Sequence, residues 1–307
     1  MRIGIMAAGA VGGYFGARLA QAGHDVAFIA RGAHLKALRE HGLRVESEVG
    51  DLHLREVTAT DDPAAIGPVD LVLFAVKLWD TDAAAAATRP LVGADTAVIT
   101  LQNGVESVER LDPVLGPPHV VGGLTYIGAR IKAPGVIQHV GKLADIRCGE
   151  RDGKRSKRLL AFADAAKQAG FQISISETID LDRWKKFVFL VGFSGITAVT
   201  RRPFGDIAAD SDCMALFGDL MRETLAVGRA RGIPLAPAFV EERLAFSKTL
   251  PKESKSSMLY DFERGNRLEL DWLAGAVARM GRELGIATPA NAAVYAALKP
   301  WRMGGRN

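Results

Sequence analysis

The chain has 307 residues, of which 48% are hydrophobic and 24% charged, and a length in this range predicts two domains. Its formal net charge of +4 is small and scattered, which argues weakly for an anionic ligand and gives no support for a nucleic-acid surface. No secretory signal and no apolar run long enough to cross a membrane are expected, and the two cysteines, Cys148 and Cys213, predict a reduced, cytoplasmic protein without a disulfide framework.

The first half of the chain alternates apolar strands with helical stretches. The predicted strands are RIGIM at 2–6, DVAFIA at 25–30, VDLVLFAVK at 69–77, TAVITLQNG at 96–104, VVGGLTYIGA at 120–129, GVIQHV at 135–140, DIRCG at 145–149 and FQISIS at 171–176. The predicted helices cover 10–22, 33–42, 81–89 and 156–169. Strand and helix in alternation predict a parallel, doubly wound sheet.

From Asp180 onward the pattern is only helical. The predicted helices lie near 182–200, 211–231, 236–248, 256–263, 268–285 and 290–299. We therefore predict an α/β domain over residues 1–177 and an all-helical domain over 178–307. A cleft between two such domains is the usual place for a ligand site.

The stretch IGIMAAGAVGGYFGARLA reads as a strand, a turn of small residues and a helix. It matches the dinucleotide fingerprint with Ala7, Gly9 and Gly12 at the three glycine positions. Alanine at the first position is compatible with the turn if its φ is negative. Phosphate is then expected on the amides of the loop and the helix start, which comprise Ala7, Ala8, Gly9, Ala10, Val11 and Gly12. A tight turn without a ligand is the alternative.

The next strand ends in AFIARG, where an NAD site would place an acidic residue for the ribose 2′-hydroxyl. Arg31 stands there instead. A guanidinium suits a 2′-phosphate, so the sequence favours NADP over NAD. A surface arginine without a ligand is the alternative.

These motifs, together with AVKLWDT, LQNGV, TYIGAR, RWKKF and the ending GIATPANAAVYAALK, make the chain resemble the ketopantoate reductases, or 2-dehydropantoate 2-reductases. The resemblance covers essentially the whole chain, with the motifs in the family's order. It implies an N-terminal Rossmann-type NADP-binding domain and a helical substrate and catalytic domain. It also implies NADPH-dependent reduction of a 2-keto acid in pantothenate synthesis.

A lysine pair opens the apolar helix RWKKFVFLVGFSGITAV. Residues four apart share a helix face, so Lys186, Leu190, Ser194 and Thr197 form one stripe and Lys185 lies about 100° away. The resemblance places the family's catalytic lysine at Lys186, where it would protonate the carbonyl oxygen as hydride reaches the same carbon. Lys185 is expected to extend into solvent. A solvent-directed stem is the alternative for Lys186 as well.

The resemblance also implies the remaining site residues. Glu269 in GNRLELDWL would lie near the lysine, the substrate and the cofactor ribose, and would keep the lysine protonated. The alternatives for this carboxylate are Glu253, Glu263 and Asp271, each of which also fits a solvated helix face. Asn103 follows a buried strand, where ligands bind open α/β sheets, and would hold cofactor and substrate carbonyl. Ser257 would bind the substrate carboxylate, with helix capping as the alternative. Lys77 and Ala129 complete the implied cofactor set.

Three positions depart from the family's pattern. Where family members carry asparagines four and eight residues after the lysine, this chain has Leu190 and Ser194, and Phe204 corresponds to a third. Loss of amides removes hydrogen bonds to polar substrate groups, including the 4-hydroxyl of ketopantoate. The reaction class is therefore better supported than the substrate.

Three functions follow from this pattern. The first is an NADPH-dependent ketopantoate reductase. The second is the same chemistry on a more apolar 2-keto acid, and the third is an NADP(H)-binding sensor without catalysis. The lysine–glutamate pair argues against the sensor. The apolar faces of the later helices could form a homodimer, and the six histidines show no spacing of metal ligands, so no metal is expected.

Overall fold

The computed structural model describes residues 1–305. Contacts between Cα atoms divide the chain into one unit over Met1–Ile179 and a second unit that starts at Asp180. The first unit is an α/β layer structure and the second is helical. This confirms the predicted fold class.

The first unit contains ten strands and five helices. The strands are β1 (Arg2–Met6), β2 (Asp25–Ile29), β3 (Leu43–Ser47), β4 (Leu52–Leu54), β5 (Thr58–Thr60), β6 (Val69–Phe74), β7 (Val92–Thr100), β8 (Val120–Ala133), β9 (Val136–Gly149) and β10 (Gln172–Ile175). The helices are α1 (Ala10–Gln21), α2 (Gly32–His41), α3 (Thr81–Thr88), α4 (Ser107–Leu115) and α5 (Lys157–Gln168). The short strands β3, β4 and β5 were not predicted.

The strands form one sheet in the order β4-β3-β9-β8-β7-β6-β1-β2-β5, with β10 paired to β9. The run from β8 through β1 to β5 is parallel, as the alternation of strand and helix predicts. Beyond it, β9 runs antiparallel to β8 and β4 antiparallel to β3, so the sheet is mixed rather than parallel throughout. The strand β1 lies between β2 and β6, and the chain order reverses there.

The helix α1 packs tightly on the strands beneath it because small residues face them. A Cβ on Gly16 would approach the side chains of Ile5 and Phe28 to 2.7 Å. Ile5 and Phe28 are both fully buried, on β1 and β2 respectively. This close approach holds the middle of α1 against β1 and β2.

The segments 135–140 and 145–149, predicted as separate strands, belong to the single strand β9. Gly128 on β8 pairs with Val140, whereas its neighbour Ile127 pairs with Ala144, so the register shifts at this point. Gly141 has φ of 75° within the shift. The strand therefore continues through this irregularity, although the local sequence resembles a turn.

The second unit begins with the long helix α6 (Ile179–Thr200), which crosses the boundary. It continues with α7 (Phe204–Ala208), α8 (Ser211–Ala230), α9 (Phe239–Ser247), α10 (Ser257–Glu263), α11 (Ala274–Leu284) and α12 (Pro289–Leu298). The helix α7 was not predicted. The stretch 268–285, predicted as one helix, is a 3₁₀ turn at Leu270–Trp272 followed by α11, because Leu273 leaves the helical region at ψ of −104°.

A half-buried carboxylate joins α8 to α12. Glu223 accepts hydrogen bonds from the backbone N–H groups of Ala290 at 2.7 Å and Asn291 at 2.8 Å. It also accepts one from the side-chain amide of Asn291 at 2.8 Å. These donors lie in the first turn of α12, which has no other intrahelical acceptor for them. Glu223 therefore caps α12 from a neighbouring helix.

Among residues 1–305, no helix is both long and apolar enough to cross a membrane.

Candidate active site

The loop after β1 carries backbone strain at Ala7. Its φ is +70°, in the left-handed region that disfavours residues with a Cβ. The expectation of a negative φ at this position is therefore wrong. Two contacts hold the loop in place, because the N–H of Ala8 donates to the carbonyl of Ile29 at 2.8 Å and the carbonyl of Ala7 lies against Gly12. Strain of this kind persists where the surroundings over-determine the backbone.

Gly9 and Gly12 have different surroundings. A Cβ on Gly12 would clash with the carbonyl oxygen of Ala7 and approach Ile5 to 2.9 Å, so this glycine serves close packing. Gly9 has φ of −73° and open space where a Cβ would lie. Nothing in the fold requires glycine at this position. Close approach of a ligand to the backbone is the physical reason that remains.

A cavity of about 380 Å³ opens beside this loop. It lies at the carboxyl ends of β1, β2 and β6, where ligands bind in open α/β sheets. Its lining includes the loop residues Met6, Ala7, Ala8 and Gly9, the β2 end from Ile29 to Arg31, and residues His34, Asp61, Val76, Asp80 and Ile131. This position suits a dinucleotide, with its phosphates at the N–H groups of α1.

Arg31 lies in the cavity lining and is paired with Asp80. Its guanidinium donates to the Asp80 carboxylate at 2.8 Å. The Arg31 side chain is 78% exposed, so the pair is open to a ligand. Asp80 stands in the quoted motif AVKLWDT, but no pattern in the sequence links it to a residue 49 positions away.

His34 is a second lining residue that the sequence analysis missed. Its Nδ1 accepts the backbone N–H of Gly135 at 3.1 Å, so the ring proton of the neutral form is on Nε2. That Nε2 is buried with no hydrogen-bond partner among the described residues. Burial lowers the pKa of His34, and the backbone of Ala8 opposes the shift. His34 therefore presents a neutral imidazole beside the loop.

The other predicted cofactor residues of the first unit occupy varied positions. Lys77 is exposed after β6, with its Nζ 5.6 Å from the ring centre of Trp79. Ala10 and Val11 form the first turn of α1 beyond the cavity lining. Ala129 is also outside the lining, but Ile131, two residues on and on the same face of β8, belongs to it.

Asn103 lies in the turn between β7 and α4, at the carboxyl edge of the sheet, as predicted. Its buried neighbour Gln102 fixes this turn. The Gln102 amide donates to the carbonyl of Val76 at 3.1 Å and to the hydroxyl of Thr81 at 2.9 Å. These bonds join the loops that follow β6 and β7. Gln102 was not singled out in the sequence, although it directly precedes Asn103.

In the second unit, Lys186 and Glu269 are electrostatically coupled. Burial lowers the pKa of Lys186 from 10.5 to about 8, and the Glu269 carboxylate opposes the shift. Glu269 is 7% exposed. Lys185 and Lys186 are both half-buried, and an orientation of the Lys185 head group towards solvent along a covered stem stays a prediction. Burial of the amine and the nearby Glu269 carboxylate therefore act on the pKa of Lys186 in opposite directions.

Along α6, the face that carries Lys186 continues with Leu190 and Ser194, and farther on it contacts the residue that precedes α10. Leu190 is half-buried one turn on, and Ser194 is fully buried with a hydroxyl that has no hydrogen-bond partner among residues 1–305. The hydroxyl of Thr197 hydrogen-bonds that of Ser256 at 2.7 Å. Leu190 and Ser194 thus present an alkyl group and an unpaired hydroxyl at the two positions where the resemblance implies amides.

Ser256, and not Ser257, caps α10. The Ser256 hydroxyl accepts the backbone N–H of Leu259 at 3.0 Å, whereas Ser257 is exposed at the first helical position. The capping alternative for Ser257 is therefore excluded. Its hydroxyl stays available for a ligand.

Phe204 belongs to an aromatic cluster. It is 2% exposed, and its ring centre lies 5.5 Å from that of Phe193 and 5.3 Å from that of Phe217. Phe189 packs against Phe193 and Phe217. The position thus serves the core of the helical unit, and an amide there would be buried without its present contacts.

The loop after β1 and the cavity at the carboxyl edge of the sheet are typical of one class of protein, the dinucleotide-binding proteins with a Rossmann-type domain. Comparison with protein-family models narrows this class. Residues 3–153 match the model "Ketopantoate reductase PanE/ApbA", and residues 178–302 match "Ketopantoate reductase PanE/ApbA C terminal". The chain belongs to the ketopantoate reductase family, which confirms the resemblance.

Individual relatives agree with this assignment. The chain is 35% identical to a 2-dehydropantoate 2-reductase of Mesorhizobium japonicum, over 97% of each chain. It is 33% identical to a solved PanE/ApbA family ketopantoate reductase from Ralstonia eutropha, with a TM-score of 0.90 over 98% of each chain. A D-mandelate dehydrogenase solved with NADH and anilino(oxo)acetate has a TM-score of 0.89 over 98% of each chain but 22% identity, which shows the shared fold alone.

Proposed function

We propose that this protein reduces 2-dehydropantoate to pantoate with NADPH. The coupling of Lys186 to Glu269 carries the proposal. A half-buried lysine with a pKa of about 8 is mostly protonated at neutral pH and still releases its proton more readily than an ordinary lysine. The fold of a family whose relatives are named for this reaction supports the same conclusion.

In the proposed reaction each site residue has a separate role in binding or in proton transfer. Reduced nicotinamide, when bound, supplies hydride to the keto carbon. Lys186 donates its proton to the carbonyl oxygen, and Glu269 keeps the amine charged and oriented until then. Asn103 holds the carbonyl and the cofactor, and Ser257 donates to the substrate carboxylate. The loop from Ala7 to Gly12 receives the phosphates.

Arg31 supports NADPH over NADH, because its guanidinium is exposed in the cavity lining and matches a phosphate. Lys77 and Ala129 complete the proposed cofactor set. A cytoplasmic location and a homodimer stay predictions, the first supported by the free thiols of Cys148 and Cys213.

One observation favours a second substrate class. Leu190 follows Lys186 on the same face of α6, and the Ser194 hydroxyl beyond it is buried and unpaired. A substrate hydroxyl that meets no partner there is costly to bury. A 2-keto acid with a branched or aromatic side chain would avoid this penalty, with the same chemistry at its carbonyl.

The decisive experiment measures NADPH oxidation with ketopantoate against a panel of branched and aromatic 2-keto acids. The highest kcat/KM for ketopantoate supports the first substrate. A preference of tenfold or more for an apolar acid, about 1.4 kcal/mol, supports the second. The double variant Leu190→Asn, Ser194→Asn should then move the preference back towards ketopantoate.

The chemistry is tested separately with Lys186→Ala. Loss of a general acid lowers kcat by about 10²–10⁴-fold, whereas NADPH binding should be retained. Lys185→Ala is the matched control on the same helix turn and should keep its activity. Equal activity of both variants would contradict the proposed role of Lys186.

A further inference from the structure

Asp80 is at a helix start, but its carboxylate pairs with an arginine and does not cap the helix. It directly precedes α3, the position where an aspartate side chain commonly accepts helix N–H groups. Here the Asp80 side chain makes no such capping bond. It accepts from Arg31 at 2.8 Å instead. The Asp80 carboxylate therefore forms the ion pair with Arg31, and the start of α3 has no side-chain cap.

The ion pair spans the end of the phosphate loop. Arg31 follows β2 and Asp80 follows β6, and these two strands flank β1 on either side. Both residues line the cavity beside the loop after β1. A dinucleotide with its phosphates on that loop would thus place the nearby ribose between or against these two side chains.

The two cofactors differ here by a hydroxyl and a phosphate dianion. A ribose 2′-hydroxyl can donate a hydrogen bond to a carboxylate, whereas a phosphate cannot and is repelled by it. Asp80 also neutralises Arg31, the cation that a 2′-phosphate needs. A carboxylate in this place therefore favours NADH relative to NADPH and opposes the preference that Arg31 alone would set.

We propose that Asp80 is a specificity-determining residue for the cofactor, which moderates the NADPH preference of Arg31 and allows NADH to bind as well. This inference rests on the proposed use of a nicotinamide dinucleotide in this cavity. The neighbouring carboxylate of Asp61 has a different partner, since it pairs with Arg39 at 3.3 Å. Of these two carboxylates in the lining, Asp80 is therefore the one that pairs with Arg31.

The test is a titration of full-length wild-type and variant protein with NADPH and with NADH, followed by fluorescence. Asp80→Asn keeps the size of the side chain and removes its charge. We expect it to raise the affinity ratio of NADPH to NADH about tenfold, which corresponds to about 1.4 kcal/mol. Asp82→Asn is the matched control, because Asp82 lies two residues on, in the first turn of α3, but pairs with Arg110 at 2.9 Å and is outside the cavity lining.

A double-mutant cycle separates direct repulsion from a structural effect. If Asp80 acts partly through Arg31, Asp80→Asn changes the ratio less in an Arg31→Ala background. An unchanged ratio in Asp80→Asn, or equal weakening of both cofactors with a lower melting temperature, overturns the inference and leaves the proposed function standing. Wild-type protein that binds neither cofactor overturns both.

Discussion

Ala7→Gly is expected to stabilise the first unit, because Ala7 has φ of +70°. The left-handed conformation costs a residue with a Cβ roughly 1–2 kcal/mol. Glycine adopts it freely but adds about 0.4–1 kcal/mol of conformational entropy to the unfolded chain. The net gain is on the order of 0.5–1 kcal/mol, which for a unit of this size raises the Tm by roughly 1–4 °C.

Scanning calorimetry of the full-length variant measures this gain, and Ala7→Val tests its cause. Valine is branched at Cβ and is a genuine outlier at positive φ, so it should lower the stability below that of wild type. Gly9→Ala is the control within the loop, since its φ of −73° and open surroundings accommodate a methyl group. It should keep the Tm while weakening dinucleotide binding.

The order of stability Ala7→Gly, wild type, Ala7→Val follows from strain alone. A Tm of Ala7→Gly below that of wild type would refute the reasoning, because it would mean that the Ala7 methyl contributes more by packing than it costs in backbone conformation. An unchanged Tm in Ala7→Val would refute it equally.

Three further outcomes are expected. In the proposed mechanism Lys186 acts in its protonated form, so kcat should fall as the pH rises through about 8. Glu269→Gln should move that fall to lower pH, since the carboxylate raises the lysine pKa, and an unmoved pH profile of kcat would argue against the pair. Ser256→Ala should lose about 1 kcal/mol of stability in chemical unfolding, because it removes the cap of α10. Ser257→Ala should keep its stability and raise the KM for the keto acid. The reverse pattern would contradict the proposed roles of the two serines. Glu223→Gln should lose about 2 kcal/mol in the same unfolding assay, because it weakens charge-assisted bonds to the start of α12; a change within experimental error would mean that water replaces the carboxylate.

The regular part of the fold was predictable because strong periodic patterns and clear stops coincide. The run RIGIM, the small-residue turn and the helix to Gln21 occur where the sequence places them. The strands β3, β4 and β5 are short and partly exposed, and their pairing rather than their composition makes them strands. Pairing between distant segments is not visible in a local pattern.

The boundary errors have a common physical origin. Gly141 looks like a turn in the sequence, but pairing with β8 carries β9 across it. Leu273 looks like part of a helix, but its backbone breaks the segment between a 3₁₀ turn and α11. In both places the tertiary contacts of the neighbouring elements override the local preference.

The candidate site residues differ in how far the sequence alone could identify them. Helical spacing singled out the stripe of Lys186, and the resemblance supplied Glu269. The pairing of Arg31 with Asp80 was beyond reach, because it depends on two loops that only the sheet order brings together. The positive φ of Ala7 was misjudged because the residue type argues against it and the packing on Gly12 requires it.

The hydrogen bond from Gly135 to His34 makes one backbone amide a spectroscopic reporter. Nδ1 accepts that N–H only while it carries no proton, so protonation of the ring must break the bond. Because the pKa of His34 is lowered, the amide resonance of Gly135 should hold its position through neutral pH and move only in acid. A single glycine signal in a nitrogen–proton correlation spectrum would then follow the state of an imidazole at the cavity wall, without any label on the histidine itself.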